Sequence, residues 1–94
     1  MDFEITTNIA ETKGSFVYQS NRKKGGEMTF SIAGPERIII DHTEVEDDFR
    51  GKGVGLALVA FAVNYVRERQ IKMLPLCPFT KATLQKHPEW ADVW

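Results

Sequence analysis

Apolar and polar positions divide the chain into a stretch of short period followed by a stretch of long period. Residues 16–19 (Phe-Val-Tyr-Gln) and 27–33 (Glu-Met-Thr-Phe-Ser-Ile-Ala) are rich in β-formers, and the second alternates apolar with polar positions. Residues 21–26 supply the turn of an antiparallel hairpin, with Arg22, Lys23 and Lys24 as charges on its solvated tip just ahead of Gly25-Gly26. Gly34-Pro35 breaks the chain, and residues 37–45 follow as a further strand. Three successive isoleucines, Ile38 to Ile40, predict burial on both faces and a central place in the sheet.

From residue 54 the period becomes helical. Val54, Leu58, Phe61 and Tyr65 form one stripe, widened by Ala57, Val59, Ala62, Val63 and Val66, while Asn64, Arg67 and Glu68 lie toward solvent. Residues 70–74 return as a strand, and a strand-helix-strand unit of this length implies a parallel, right-handed crossover. Pro78 suits the first position of a second, short helix running to Gln85. His87-Pro88 ends it, and Trp90 and Trp94 are expected to pack the C-terminal segment onto the body. The fold class is α/β (α+β): a mixed, largely antiparallel sheet with one long helix and a short C-terminal helix in a single domain.

Length and charge narrow the function. The chain has 94 residues, 12 basic and 13 acidic side chains and a net charge of −1, the size and balance of one soluble domain. A balanced charge argues against nucleic acid as a partner, because affinity for phosphate backbones needs a concentrated basic surface. The longest apolar run, residues 56–63, is far shorter than the roughly 17–25 residues that cross a bilayer, so no membrane role is expected. The acidic start carries no secretory pattern and the single cysteine forms no internal disulfide, which reads as an intracellular, cytoplasmic chain. One cysteine and two distant histidines lack metal-ligand spacing. An exposed sheet edge leaves room for a monomer or a weak homodimer.

The chemistry concentrates after the isoleucines. Ile38-Ile39-Ile40 gives way to Asp41-His42-Thr43-Glu44-Val45, and a turn reading Arg50-Gly51-Lys52-Gly53-Val54-Gly55 leads into the long helix. Ligands of α/β sheets bind beyond the carboxyl ends of strands. Glycines at alternate positions let backbone approach a ligand closely, and the free N–H groups at a helix start attract an anion, with Arg50 and Lys52 adding full charges. Neither the nucleotide P-loop pattern nor the dinucleotide fingerprint is present; the pattern that remains is Arg50-x-x-Gly53-x-Gly55. Glycines that merely permit a tight turn are the alternative.

Cys77 follows a strand and directly precedes Pro78, which makes it a candidate helix N-cap, a position that stabilises a thiolate. A small buried apolar residue is the competing reading. Strand alternation puts His42 and Glu44 on one face and Asp41 and Thr43 on the other, so His42 and Glu44 can serve one site, with His42 as a base for Cys77. A hydrogen-bonded structural histidine is the alternative. Glu44, Glu46, Asp47 and Asp48 could draw a cationic amine or form an ordinary solvated loop.

Four ordered segments, His42-Thr43-Glu44-Val45, Arg50 to Gly55, Leu74-Pro75-Leu76-Cys77-Pro78-Phe79 and His87-Pro88-Glu89-Trp90, resemble the minimal N-acetyltransferase-like branch of the GNAT superfamily. The resemblance implies acetyl-CoA as cosubstrate, its pyrophosphate on the amides of Gly51, Lys52, Gly53, Val54 and Gly55, and its pantetheine arm along Thr43 to Val45. It implies Cys77 near the thioester as nucleophile and His42 as its partner, with an amine or protein as acceptor. Full-length members build much of the acceptor pocket from extra helices after the first strand, for which this chain has little room. Direct attack by the amine and transfer through an acetyl-cysteine are both open. So is a different class of function, a CoA-binding regulatory or scaffolding module.

Overall fold

Five strands pair in the order in which they occur in the chain: β1 Glu4–Ala10, β2 Lys13–Ser20, β3 Lys23–Ile32, β4 Arg37–Val45 and β5 Lys72–Pro75. The computed structural model describes residues 2–94. The first four strands are antiparallel neighbours, and β5 runs parallel to β4. Helix α1, Val54–Arg69, makes the crossover between β4 and β5, and α2, Pro78–Gln85, follows β5. Short 3-10 segments occupy Asp47–Phe49 and Pro88–Val93.

The core lies between the sheet and α1. Alternate residues Phe16, Tyr18, Met28, Phe30, Ile38, Ile40 and Met73 point toward Val54, Leu58, Val59, Ala62, Val63 and Val66 and are buried with them. Phe16 sits at the centre, its ring centroid 4.7 Å from Phe30 and 5.1 Å from both Phe61 and Tyr65. Among the described residues no helix is long and apolar enough to cross a membrane.

Several expectations are corrected. The Ile38–Ile40 run is not buried on both faces: Ile39 is half-buried and Leu74, opposite it on β5, is exposed, because the helices cover only one side of the sheet. Strand β1 was not signalled by the sequence pattern. It is an edge strand with almost every residue exposed, and its turn uses Glu11 at φ 58° rather than a glycine or asparagine, so neither alternation nor turn chemistry marks it. The β2–β3 hairpin turns at Asn21-Arg22, both left-handed, instead of at the glycines. Gly25 and Gly26 are buried inside β3, where a Cβ on Gly26 would come within 2.8 Å of both the Glu44 carbonyl oxygen and the Val54 side chain. Gly26 admits the start of α1 to the sheet, and Gly25 makes room for the rings of Phe49 and Tyr18. Strand β5 begins at Lys72, because Gln70 takes a left-handed C-cap and closes α1 onto the carbonyls of Arg67 and Val66. Trp90 is half-buried and stacks on His87, but Trp94 is 41% exposed, and Val93 supplies the buried anchor of the C-terminus.

Candidate functional site

Strands β4 and β5 stay paired only from Arg37 opposite Lys72 to Ile40 opposite Pro75. There the chain turns away: the amides of Leu76 and Cys77 both donate to the Ile40 carbonyl, each at 3.1 Å, and α2 begins at Pro78. Beyond Ile40, β4 continues to Val45 with β3 on one side and no strand on the other. The parting opens a cavity of about 400 Å³ lined by His42, Thr43, Glu44, Val45, Arg50 and Phe79. It continues past Val45, Arg50 and Phe79 into a second, of about 380 Å³, against Gly51, Gly53, Val54, Gly55 and Leu56. One groove therefore runs from the strand parting to the start of α1.

The N-terminal end of that helix is open to an anion. Gly53 is its N-cap, left-handed at φ 79° and without a side-chain capping bond. The first bond into the helix runs from the Ala57 amide to the Gly53 carbonyl, which leaves the amides of Val54, Gly55 and Leu56 without an intrahelical acceptor. No acidic residue occupies the first turn. Space is clear around Gly51 and Gly53, whereas Gly55 lies under the Phe79 ring. Arg50 Nε donates to Asp47 Oδ1 at 2.9 Å, and the Lys52 ammonium stands 5.7 Å from the centroid of the Phe49 ring. Both cations are solvent-exposed beside the free amides.

A bulge in β4 decides which side chains meet in the slot. Thr29 pairs with His42 and Phe30 with Ile40, so Asp41 has no partner, and the alternation changes phase there. Thr43 and Val45 turn toward the helices, where they are half-buried, while His42 and Glu44 are exposed on the opposite side. His42 Nε2 and Glu44 Oε2 lie 3.8 Å apart. Asp41 accepts a hydrogen bond from Ser31 Oγ at 2.7 Å and stays out of the slot.

Cys77 is the N-cap of α2 and 4% exposed. Its thiol reaches Thr43 Oγ1 at 3.6 Å, and Thr43 Oγ1 lies 3.4 Å from Thr80 Oγ1. Thr43, then, and not His42, touches the thiol; the expected Cys77–His42 pair is separated because consecutive strand residues face opposite ways. Burial works against ionisation of the sulfur, but the Thr80 amide, the Thr43 and Thr80 hydroxyls and the Phe79 amide outweigh it, leaving the thiol pKa below its ordinary value. The sulfur makes no side-chain capping hydrogen bond, so the α2 amides act on it as dipoles.

Beside the groove, the acidic stretch is partly neutralised. Asp47 pairs with Arg50 and Asp48 with Lys23, the latter contact holding the Asp48 carboxyl below its usual range. Thr80 and Phe79 were not read as site residues. The signal for Thr80 was its position three residues after Cys77, which places N-cap and N3 side chains together at a helix start; Phe79 stood only as the end of the segment Leu74 to Phe79, with no role attached to it.

A family model described as GCN5-related N-acetyl-transferase matches residues 15–93. Protein NATD1 of Xenopus tropicalis is 28% identical over 61 residues, which are 65% of this chain and 56% of that protein. The chain thus spans little more than half of that curated relative. The solution NMR structure of a GCN5-like protein from Staphylococcus aureus is 31% identical and superposes with a TM-score of 0.68, covering 94% of this chain and 85% of that one. Aminoglycoside N-acetyltransferase AAC(6')-Iy, solved in complex with CoA, shares the fold at 16% identity and a TM-score of 0.56, over 87% of this chain and 60% of its own.

Proposed function

Since the chain belongs to the GCN5-related N-acetyltransferase family, we propose that it binds acetyl-CoA in the groove between the start of α1 and the β4–β5 parting and transfers the acetyl group to an amine. The observation that carries this reading is the uncapped helix start after the turn Gly51 to Gly53, whose free amides at Val54, Gly55 and Leu56 lie beside a groove leading to the parted strands. The fold shared with a CoA-bound acetyltransferase supports the same ligand.

In this reading the amides of Gly51, Gly53, Val54 and Gly55 hold the diphosphate, with Arg50 and Lys52 neutralising its charge; the Lys52 amide, expected among them, instead donates to the Phe49 carbonyl at 3.3 Å. The unpaired edge of β4 at Thr43 to Val45 offers backbone donors and acceptors to the amide-bearing pantetheine arm, in the manner of an added strand. The thioester then lies at the inner end of the slot, near Thr43 and Cys77. In direct transfer, the amine nitrogen attacks the thioester carbonyl, its proton passes to His42 or Glu44, and CoA leaves as thiolate. In the covalent route, the Cys77 thiolate attacks first and CoA leaves as thiolate. The amine then takes the acetyl group from sulfur, loses its proton to His42 or Glu44, and regenerates the Cys77 thiolate.

A second reading, a CoA-binding module without catalysis, draws on one observation: β1 and β2 are joined by the tight turn Glu11-Thr12, which leaves no helices there to build an acceptor pocket. Calorimetry with CoA, followed by acetyl-transfer assays on small amines, polyamines and peptides, tests both. Binding with transfer supports the enzyme, binding without transfer the module, and silence at millimolar CoA overturns both. Transfer by Cys77→Ser at the parent rate leaves direct attack as the route.

A further inference from the structure

We propose that Thr80 is a positioning residue for Cys77, forming with Thr43 a relay of hydroxyl groups that reverses direction when the sulfur ionises. This rests on the reading of Cys77 as facing the bound thioester. Thr80 is the one buried polar side chain among the described residues, at 0% exposure. A hydroxyl held so far from water needs a partner, and the side-chain oxygen within hydrogen-bond distance of it is Thr43 Oγ1, at 3.4 Å. Thr43 Oγ1 is in turn 3.6 Å from Cys77 Sγ. The cluster is assembled from two elements. The Asp41 bulge turns Thr43 toward α2, and the N-cap and N3 positions of α2 supply Cys77 and Thr80.

Counting protons shows which state the cluster favours. The chain of three atoms has two gaps, from sulfur to Thr43 and from Thr43 to Thr80. With a neutral thiol, S–H donates to Thr43, Thr43 donates to Thr80, and the third proton, on Thr80, has no acceptor in the cluster. When the S–H bond breaks and the proton goes to water, Thr80 donates to Thr43 and Thr43 donates to the sulfur anion. Both gaps are then filled and no hydroxyl proton is stranded. Only hydroxyl rotation is required, and the two dipoles align on the anion. Charged side chains on the surrounding elements do not compete: Asp41, His42 and Glu44 of β4, Lys72 of β5, Arg67, Glu68 and Arg69 of α1 and Lys81 of α2 are all solvent-exposed.

The test is a pH titration of the ultraviolet absorbance of the Cys77 thiolate in the free protein, with Cys77→Ser as the blank. Thr80→Val and Thr43→Val are expected to move the midpoint upward, the double variant no further than Thr43→Val alone, and Thr80→Ser to retain the parent midpoint. A parent midpoint in Thr80→Val, or in Thr80→Ala should the valine variant fail to fold, overturns the relay. So does a double variant whose shift equals both single shifts added, since independent donors would behave that way. The titration needs no CoA, so it fails or succeeds separately from the calorimetry that tests the cosubstrate.

Discussion

The Phe79 ring lies over the α-carbon of Gly55, so close that a Cβ built at Gly55 would sit 2.5 Å from the ring's Cζ. A glycine that sequence reading assigned to anion binding thus also seats an aromatic side chain from α2 on the first turn of α1. Phe79 is 46% exposed and lines both halves of the groove, so the same contact sets the groove's width. Gly55→Ala is expected to destabilise the protein by about 1–3 kcal/mol, the usual range for overpacking, and to do so by much less in a Phe79→Ala background. Urea unfolding of the four proteins of this cycle measures the coupling; equal costs in both backgrounds would mean that the ring does not decide the site.

Ligand binding to the native state alone raises stability by about 2.7 kcal/mol when the ligand is at a hundred times its dissociation constant. For a domain of this size that corresponds to a rise in melting temperature of roughly 10–20 °C. CoA is expected to produce such a shift, and acetate at the same concentration is not. A Gly53→Val variant should lose most of it, because the side chain crowds the free amides and strains a left-handed position.

His42 and Cys77 do not touch, and they lie on opposite sides of β4. His42→Ala is therefore expected to leave the thiolate titration of Cys77 where it is in the parent, while lowering acetyl transfer if the exposed histidine accepts the amine's proton. A titration midpoint that moves with His42→Ala would show that the two groups communicate.

The C-terminal segment is tied to α1 by Arg67. Its guanidinium donates to Asp92 Oδ2 at 3.0 Å, to Asp92 Oδ1 at 2.6 Å and to the Glu89 carbonyl at 2.7 Å. The guanidinium holds the Asp92 carboxyl below its usual range. A carboxylate lowered in the native state stabilises above its unfolded pKa, about 3.9 for aspartate, and that contribution fades as pH falls through the lower folded value. Tryptophan fluorescence is expected to report release of the segment below about pH 4, with a smaller acid-side change in Asp92→Asn. Glu89, also held low, by its hydrogen bond to His87, titrates in the same window in both proteins, so the difference between them isolates Asp92.

The long helix, the hairpin of β2 and β3, the parallel crossover and the glycine turn were legible in the chain because each is written in local terms. A helical stripe, alternating β-formers and a cluster of glycines before a helix depend on near neighbours in sequence. Strand β1 was not legible, since an edge strand with no buried face carries no alternation. Gly25 and Gly26 misled for a related reason: glycine signals a turn and a close approach with the same letter, and here the approach is made by the Phe49 and Tyr18 rings at Gly25 and by α1 at Gly26.

By itself, then, the sequence determined the class of fold, the open helix start at Gly51 to Gly55 and the family to which the chain belongs. The tertiary structure alone decided which side chains share the slot. One unpaired residue, Asp41, shifts the phase of β4, and a phase shift in a strand sends every later side chain to the other face. It turned Thr43 toward Cys77 and Thr80 and left His42 on the exposed rim of the cavity, away from the thiol. That bulge arises in the pairing of β4 with β3, the strand that precedes it in the chain, so no reading of residues 37–45 in isolation could have found it.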